Sequence, residues 1–287
     1  MAHRTLIRCE QQPILLKKSG PIGSAAARNR WPINPPLRFE MQEHAYEAMQ
    51  NLQEHHWWWR GMRHLYRAAL VRYVPDRPAR RVIDVGCGFG ANLSLLSTWG
   101  DVVGVDVEFE ALQAIQHRPT LGLVQAQADA LPFRAESFDV IALLGVIEHL
   151  DHDDQLLCET YRIARPGAIQ ILLTSAFMFL WSHHDEANNH RRRYRAKQIH
   201  ALQKSAGWHV IATRYVNTAI FPAVFLVRLI QRRMRLPDNA AYDMGPNLGP
   251  LSRILEWLLK MEAWIVTRTR ITLPFGVDIF SIGRRDD

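Results

Sequence analysis

Three glycines spaced two apart, Gly86, Gly88 and Gly90, follow the apolar run Val82-Ile83-Asp84-Val85 and precede a helical pattern over Asn92–Trp99. Glycine adopts positive φ without penalty and lets a ligand approach the backbone closely. A helix start behind such a turn offers unpaired N–H groups and the positive end of a dipole. The corresponding chemistry is the holding of a nucleoside-bearing cofactor. Asp106 lies 20 residues after Gly86, at the end of the next apolar run, where its carboxylate can accept two hydrogen bonds from ribose hydroxyls. The turn also reads Gly86-x-Gly88-x-x-Ala91, so a nicotinamide dinucleotide fits it as well.

A second set of polar residues lies further along. His149 follows the apolar run Phe138–Leu144, and an imidazole there is a candidate general base. Trp181-Ser182-His183-His184-Asp185-Glu186 and His190-Arg191-Arg192-Arg193-Tyr194 follow the next apolar run. Arg192 and Arg193 suit an anionic group such as phosphate or carboxylate, and His190 or Tyr194 would contact an acceptor. His183, His184 and His190 have no convincing metal-ligand spacing and are read as hydrogen-bonded scaffolding, so no metal is expected. Upstream, Glu54-His55-His56-Trp57-Trp58-Trp59-Arg60 combines polar residues with three apolar rings. The expectation is that this segment and residues 181–194 fold together over the acceptor, with Trp58, His184, Arg192 and Arg193 facing it.

Five blocks in order carry a resemblance. Val-Ile-Asp-Val-Gly-Cys-Gly-Phe-Gly at 82–90 is followed by Val-Val-Gly-Val-Asp at 102–106. Ala128-Asp129-Ala130-Leu131-Pro132-Phe133 with Ser137-Phe138-Asp139-Val140-Ile141 comes next, then Gly145-Val146-Ile147-Glu148-His149-Leu150, then Arg165-Pro166-Gly167. Residues 82–174 resemble the core of the class I S-adenosylmethionine-dependent methyltransferases, specifically the type 11 group. Ala168 departs from the pattern, which usually has a second glycine there. The resemblance implies S-adenosyl-L-methionine as the cofactor. Asp84 would orient the glycine loop and the amino end of the ligand, and Gly86, Gly88 and Gly90 would line its methionine and ribose portions. Asp106 and Val107 would hold the ribose, Asp129 and the Ala130 backbone would face the adenine edge, and Leu144 to Ile147 would line the pocket near the sulfonium. His149, His190 and Tyr194 are the candidate catalytic residues.

These groups must be positioned by an α/β scaffold. Arg81–Val85, Val102–Val107, Leu121–Gln125, Phe138–Leu144, Ala168–Thr174, Trp208–Tyr215 and Val277–Ile282 read as strands. Helical stretches between the strands of residues 81–174 predict parallel pairing there, within a doubly wound, seven-stranded Rossmann-like sheet, with Pro166-Gly167 as a turn. A helical segment rich in Met62, Leu65, Tyr66, Ala69 and Leu70 precedes the sheet, and two helices, Ala223–Arg235 and Leu251–Thr269, are inserted before the last strand. The expected organisation is a disordered basic leader over 1–38 and one domain over 39–287. Its core is 79–220 with 274–285, and its helical insertion is 221–273.

Charge and cysteine content narrow the partners. The leader holds seven cations against Glu10 alone, so it carries six of the seven net positive charges. The folded part therefore lacks a basic nucleic-acid footprint. Cys9, Cys87 and Cys158 are scattered, which suggests neither a disulfide framework nor a zinc site and points to a reducing, cytoplasmic setting. No apolar h-region marks a secretory signal. The apolar run Ala219–Val227 passes into Arg228, Arg232, Arg233 and Arg235, so peripheral contact with the inner face of a membrane is expected through 219–235. The acceptor expected is a small molecule or a lipid-linked one. An NAD(P)-dependent oxidoreductase and a non-catalytic binder of the same fold are the alternatives.

Overall fold

Alternation along each strand assigns residues to the two faces of a sheet covered on both sides. Val82, Val102, Val140, Ile171 and Ile282 are buried on one face, and Ile83, Val103, Ile141, Leu172 and Ile279 on the other. The computed structural model describes residues 52–76, 80–117, 120–234 and 249–286. The leader 1–38 lies outside them. The strands are β1 (Arg81–Val85), β2 (Asp101–Asp106), β3 (Gly122–Gln125), β4 (Phe138–Leu144), β5 (Ala164–Ser175), β6 (His209–Val216) and β7 (Asp278–Arg284). Their order is β3-β2-β1-β4-β5-β7-β6. Strands β1 to β5 pair in parallel, whereas β7 runs antiparallel to both β5 and β6. The sheet is thus mixed rather than purely parallel.

Two helical layers cover it. On one face lie α1 (Trp57–Tyr73), α2 (Leu93–Leu96), α3 (Phe109–Ala114) and α8 (Pro250–Arg268), through Leu65, Leu70, Leu93, Leu112 and Val266. On the other lie α4 (Asp153–Ile163) and α6 (Ala196–Ser205), through Leu156, Leu157 and Ile199, with α5 (His183–Ala187) following the end of β5. Helix α7 (Phe221–Met234) follows β6. α1 and α8 pack closely because Gly61 has no side chain: a methyl group there would overlap Leu259.

Three local expectations change. The helix behind the glycine turn is one turn long, Leu93–Leu96, not Asn92–Trp99. Asn92 makes no side-chain capping bond, and the Ser97 and Thr98 hydroxyls donate to the carbonyls of Ser94 and Leu95, closing the helix early. Such a short helix has little macrodipole to offer. Pro166-Gly167 does not end one element and start another. β5 runs through it from Ala164, with Gly167 at φ 76° donating its N–H to Arg285, and an irregularity in the β4 pairing absorbs the distortion. Finally, Cys87 is buried and free and Cys158 is disulfide-bonded, so cysteine content carries no argument about compartment.

Candidate active site

The strand order reverses between β1 and β4, and in open α/β sheets the crevice above that point receives ligands. The glycine turn leaves β1 there. Gly86, Gly88 and Gly90 have φ of 72°, 48° and 70°, a region open to glycine at no cost. Gly86 abuts Val146, which follows β4, so the two strand ends are in contact. A methyl group at Gly88 would meet nothing within 4 Å, which leaves the middle of the turn open to a ligand.

Asp84 lies beneath this turn. It is buried, and its Oδ2 has no hydrogen-bond partner. Burial, with the Asp106 charge second, raises its pKa to about 7. Asp106 at the end of β2 is half-buried, and its Oδ2 and Oδ1 accept from the N–H groups of Gly88 (2.7 Å) and Glu108 (3.0 Å). Each oxygen keeps a second lone pair for an incoming hydroxyl. Val107 beside it is exposed. Asp129 is half-buried and Ala130 exposed, while Leu144 is half-buried at the end of β4. Ile147, in the 3-10 turn Ile147–His149, is fully buried in the core.

Two more buried acids share this end of the sheet. Asp278 at the start of β7 accepts from the Asn217 amide (2.6 Å), and burial raises its pKa to about 7. Glu148 is buried and accepts from the Thr174 hydroxyl (2.8 Å). The buried Tyr66 of α1 feels the charges of Asp278, Asp84 and Glu148; burial first and these acids next push its phenol up. Once Asp84 and Asp278 ionise, above pH 7, this end of the sheet is anionic, and a cation is the ligand it favours.

The histidines lie beside Glu148. His149 and His190, 41 residues apart in sequence, meet edge to face at 4.7 Å between ring centroids. Burial lowers the His149 pKa, against the Glu148 charge, and its ring faces the carbonyls of Asn188 and Gly145. His149 thus stays neutral to lower pH than an exposed histidine. His190 Nδ1 donates to Asp185 Oδ1 at 2.8 Å, which leaves Nε2 as a proton acceptor. Asp185, fully buried in α5, also receives Arg193 Nε (2.7 Å) and the Ser182 N–H (2.9 Å). Burial opposes its ionisation, but the bonds from His190 and Arg193 outweigh it and hold the carboxyl well below its ordinary range. Sequence reading missed Asp185 as a functional residue; its signal was the Asp-x4-His spacing on a loop after a strand. The ligand atoms of Glu148, His149 and His190 lie within 4.8 Å of one another, a grouping that linear spacing does not reveal.

The remaining expected acceptor contacts are placed differently. Tyr194 is buried, and its hydroxyl donates to Ile147 O (3.2 Å) and Asp153 Oδ2 (2.9 Å), so it braces the 3-10 turn instead of facing an acceptor. Arg193 is buried against Asp185 and the Ala176 carbonyl, so its charge is already used. Arg192 is half-buried and reaches Asp153 (3.4 Å) and the Asp151 carbonyl (3.2 Å). His184 is half-buried, next to the Asn188 amide. Trp58 packs on the core beneath α1, while Tyr194 belongs to the opposite face.

Comparison with known proteins bears on this arrangement. Residues 83–172 match the model of a methyltransferase domain, the type 11 group. A probable S-adenosylmethionine-dependent methyltransferase of Mycolicibacterium smegmatis is 27% identical over 167 residues, 57% of this chain and 63% of that one. Phthiotriol/phenolphthiotriol dimycocerosates methyltransferase 1 of Mycobacterium ulcerans is 33% identical over 94 residues, 31% and 35% of the two chains. Demethylmenaquinone methyltransferase of Renibacterium salmoninarum is 29% identical over 109 residues, 37% and 46%. The matched segments span less than two thirds of each relative. Among solved structures, phosphoethanolamine N-methyltransferase 2 of Haemonchus contortus superposes with a TM-score of 0.56 at 15% identity, covering 87% of this chain and 59% of that one. A methyltransferase solved with the Haloferax volcanii Trm112 activator gives 0.55 at 18%, covering 85% and 96%. These two share the fold.

Proposed function

We propose that this chain, which carries a class I S-adenosylmethionine-dependent methyltransferase domain of the type 11 group, transfers a methyl group to a small-molecule or lipid-linked acceptor at the β1/β4 crevice. The observation that carries the reading is the partnerless, buried Oδ2 of Asp84 beneath an open glycine turn. A buried carboxylate oxygen without a donor is costly, and a ligand ammonium would offset that cost. When bound, S-adenosyl-L-methionine supplies an electrophilic methyl group on a sulfonium. Gly86, Gly88 and Gly90 would lie against it, Asp84 would hold its ammonium, Asp106 with Val107 its ribose, and Asp129 with Ala130 its adenine.

The sign of the charge separates this from the dinucleotide alternative. Above pH 7, with Asp84 and Asp278 ionised beside Glu148, a pyrophosphate would be repelled, whereas a sulfonium and an ammonium are attracted. Calorimetric titration checks it: S-adenosylhomocysteine is expected to bind and NAD(P) not to. Binding of NAD(P) alone would overturn the assignment.

The protein's own share of the reaction is alignment and proton removal. His190 is the base, with Nδ1–H held by Asp185 so that Nε2 is left to accept a proton, and His149 packs against it. His190→Gln is expected to lower kcat by about 100-fold or more with cofactor affinity unchanged. The readout is label passed from methyl-labelled S-adenosylmethionine to a total lipid extract or a water-soluble metabolite extract. No transfer to either, despite cofactor binding, would support the non-catalytic alternative instead. Chelation with EDTA is expected to leave the rate unchanged. A loss restored by a divalent ion would reassign Glu148, His149 and His190 to a metal.

Two of the relatives act, by their names, on demethylmenaquinone and on phthiotriol or phenolphthiotriol dimycocerosates, which supports an apolar, lipid-type acceptor here. Such an acceptor suits work at the inner face of a membrane, with segment 219–235 as the contact.

A further inference from the structure

Helix α7 is turned inside out for a water-soluble protein. Its partly covered face, at the spacing i, i+3, i+7, i+10, is Phe221, Val224, Arg228 and Gln231, while Leu226, Val227, Leu229 and Ile230 stand exposed. Amphipathic helices on a protein core normally do the reverse. α8 carries a second outward stripe. Its inner side buries Leu259, Ala263 and Val266, but Ile254, Trp257, Met261 and Trp264, again at i, i+3, i+7, i+10, are exposed. Each helix thus sets a row of large apolar side chains on the surface, where a water-soluble monomer normally scatters them singly.

Charge identifies the occupant. Arg253, Lys260 and Arg268 are exposed and flank the α8 stripe. The two acids of α8 are already used: Glu256 pairs with Arg60 (3.1 Å) and His64 (3.2 Å), and buried Glu262 accepts from the Thr218 N–H (2.9 Å). α7 has Arg228 and Arg233 and no acid among its residues. An apolar stripe with two tryptophans and a cationic border is the composition of a helix lying in an anionic lipid interface. The leader 1–38 carries seven cations against one acid, so it is repelled by this face, as a second copy of the same face would be. No described helix is long and apolar enough to cross a membrane, so the contact is with its surface.

We infer that α7 and the outward stripe of α8 together form a docking surface for an anionic lipid bilayer, with Trp257 and Trp264 at the headgroup level. The inference deepens the lipid-linked reading of the acceptor and rests on it. It also explains a chain of rings. Phe225 is 5.9 Å from Phe179, which stacks on Phe177 at 4.9 Å. The Phe177 N–H in turn bonds to the Tyr194 carbonyl (2.8 Å), four residues after His190. The apolar track thus runs from the lipid face to the segment that carries the proposed base.

The test is flotation of the full chain with vesicles of phosphatidylcholine alone or with one third phosphatidylglycerol, at low and high salt. Strong, salt-sensitive binding to the anionic vesicles is expected. Arg253→Gln/Lys260→Gln/Arg268→Gln should weaken it about 100-fold, and Trp257→Ser/Trp264→Ser or Leu226→Ser/Ile230→Ser at least 10-fold. All seven side chains are exposed, and an unchanged thermal shift with S-adenosylhomocysteine shows that each variant is folded. Absence of flotation in anionic vesicles, binding indifferent to these variants, a dimer in light scattering that the serine variants abolish, or flotation only after removal of residues 1–38 would each overturn the inference. The methyltransferase reading fails separately, by loss of the S-adenosylhomocysteine shift in the wild-type chain.

Discussion

Asp84→Asn should bind S-adenosylhomocysteine about 10- to 100-fold more weakly than the wild type, the worth of one charge-assisted hydrogen bond, yet melt at a higher temperature when empty. The two effects have one cause. In the empty protein Asp84 is a buried carboxyl with a free Oδ2 and a pKa raised to about 7 by burial and by Asp106. Its unfolded value is near 3.8. Between those two values the unfolded chain has lost the proton and the native state still holds it, so stability falls as pH rises through that window. Above pH 7 the native state carries the full cost of the buried charge, at most ~4 kcal/mol by linkage. Asparagine removes that cost, so the gain in melting temperature is expected at pH 8 and should vanish near pH 4. Asp278, with its pKa raised to about 7 in the same direction, keeps part of the pH slope in the variant. Cofactor affinity in the wild type should rise as pH passes through 7 and Asp84 ionises, and this rise should be absent in the variant. Unchanged affinity in Asp84→Asn would remove Asp84 from the site.

Asp185→Ala should be among the most damaging single changes in the chain. Its carboxylate binds His190, Arg193 and the Ser182 N–H within 3 Å, and both Asp185 and Arg193 are buried. Removing one partner strands the other charge, which costs ~3–5 kcal/mol. Circular dichroism melts would show it. The milder Asp185→Asn separates positioning from folding. It keeps the volume but cannot hold the Nδ1–H tautomer of His190 against Arg193, so kcat should fall at least as far as in His190→Gln with the cofactor affinity intact. A fall in affinity that matches the fall in kcat would mean a structural role alone. The pH sign is opposite to that of Asp84. The Asp185 carboxyl is held below its ordinary value in the folded state, so its contribution is complete above pH 4 and is lost on further acidification.

What the sequence by itself determined is what depends on short-range pattern. Short apolar runs at Val82–Val85 and Phe138–Leu144, bounded by turn residues, place strands whose two faces are both buried. Gly86, Gly88 and Gly90 mark the turn because only glycine takes those φ values freely. The order of motifs through Arg165-Pro166-Gly167 names the domain. Element ends were less legible: Ser97 and Thr98 shorten α2 by bonds to the Ser94 and Leu95 carbonyls, and Pro166-Gly167 stays in β5 because Ala164 before it and Ile169 after it pair with β4 and the Gly167 N–H bonds to Arg285. Only the tertiary structure decided what depends on distance through space. It brought His149 against His190 across 41 residues, turned Tyr194 and Arg193 from acceptor contacts into internal braces, and put Trp58 and Tyr194 on opposite faces of the sheet. It also decided that α7 shows its apolar side outward. The helical period of Leu226, Ile230 and their neighbours says only that a face exists, since which way it points depends on what the rest of the fold leaves to cover it.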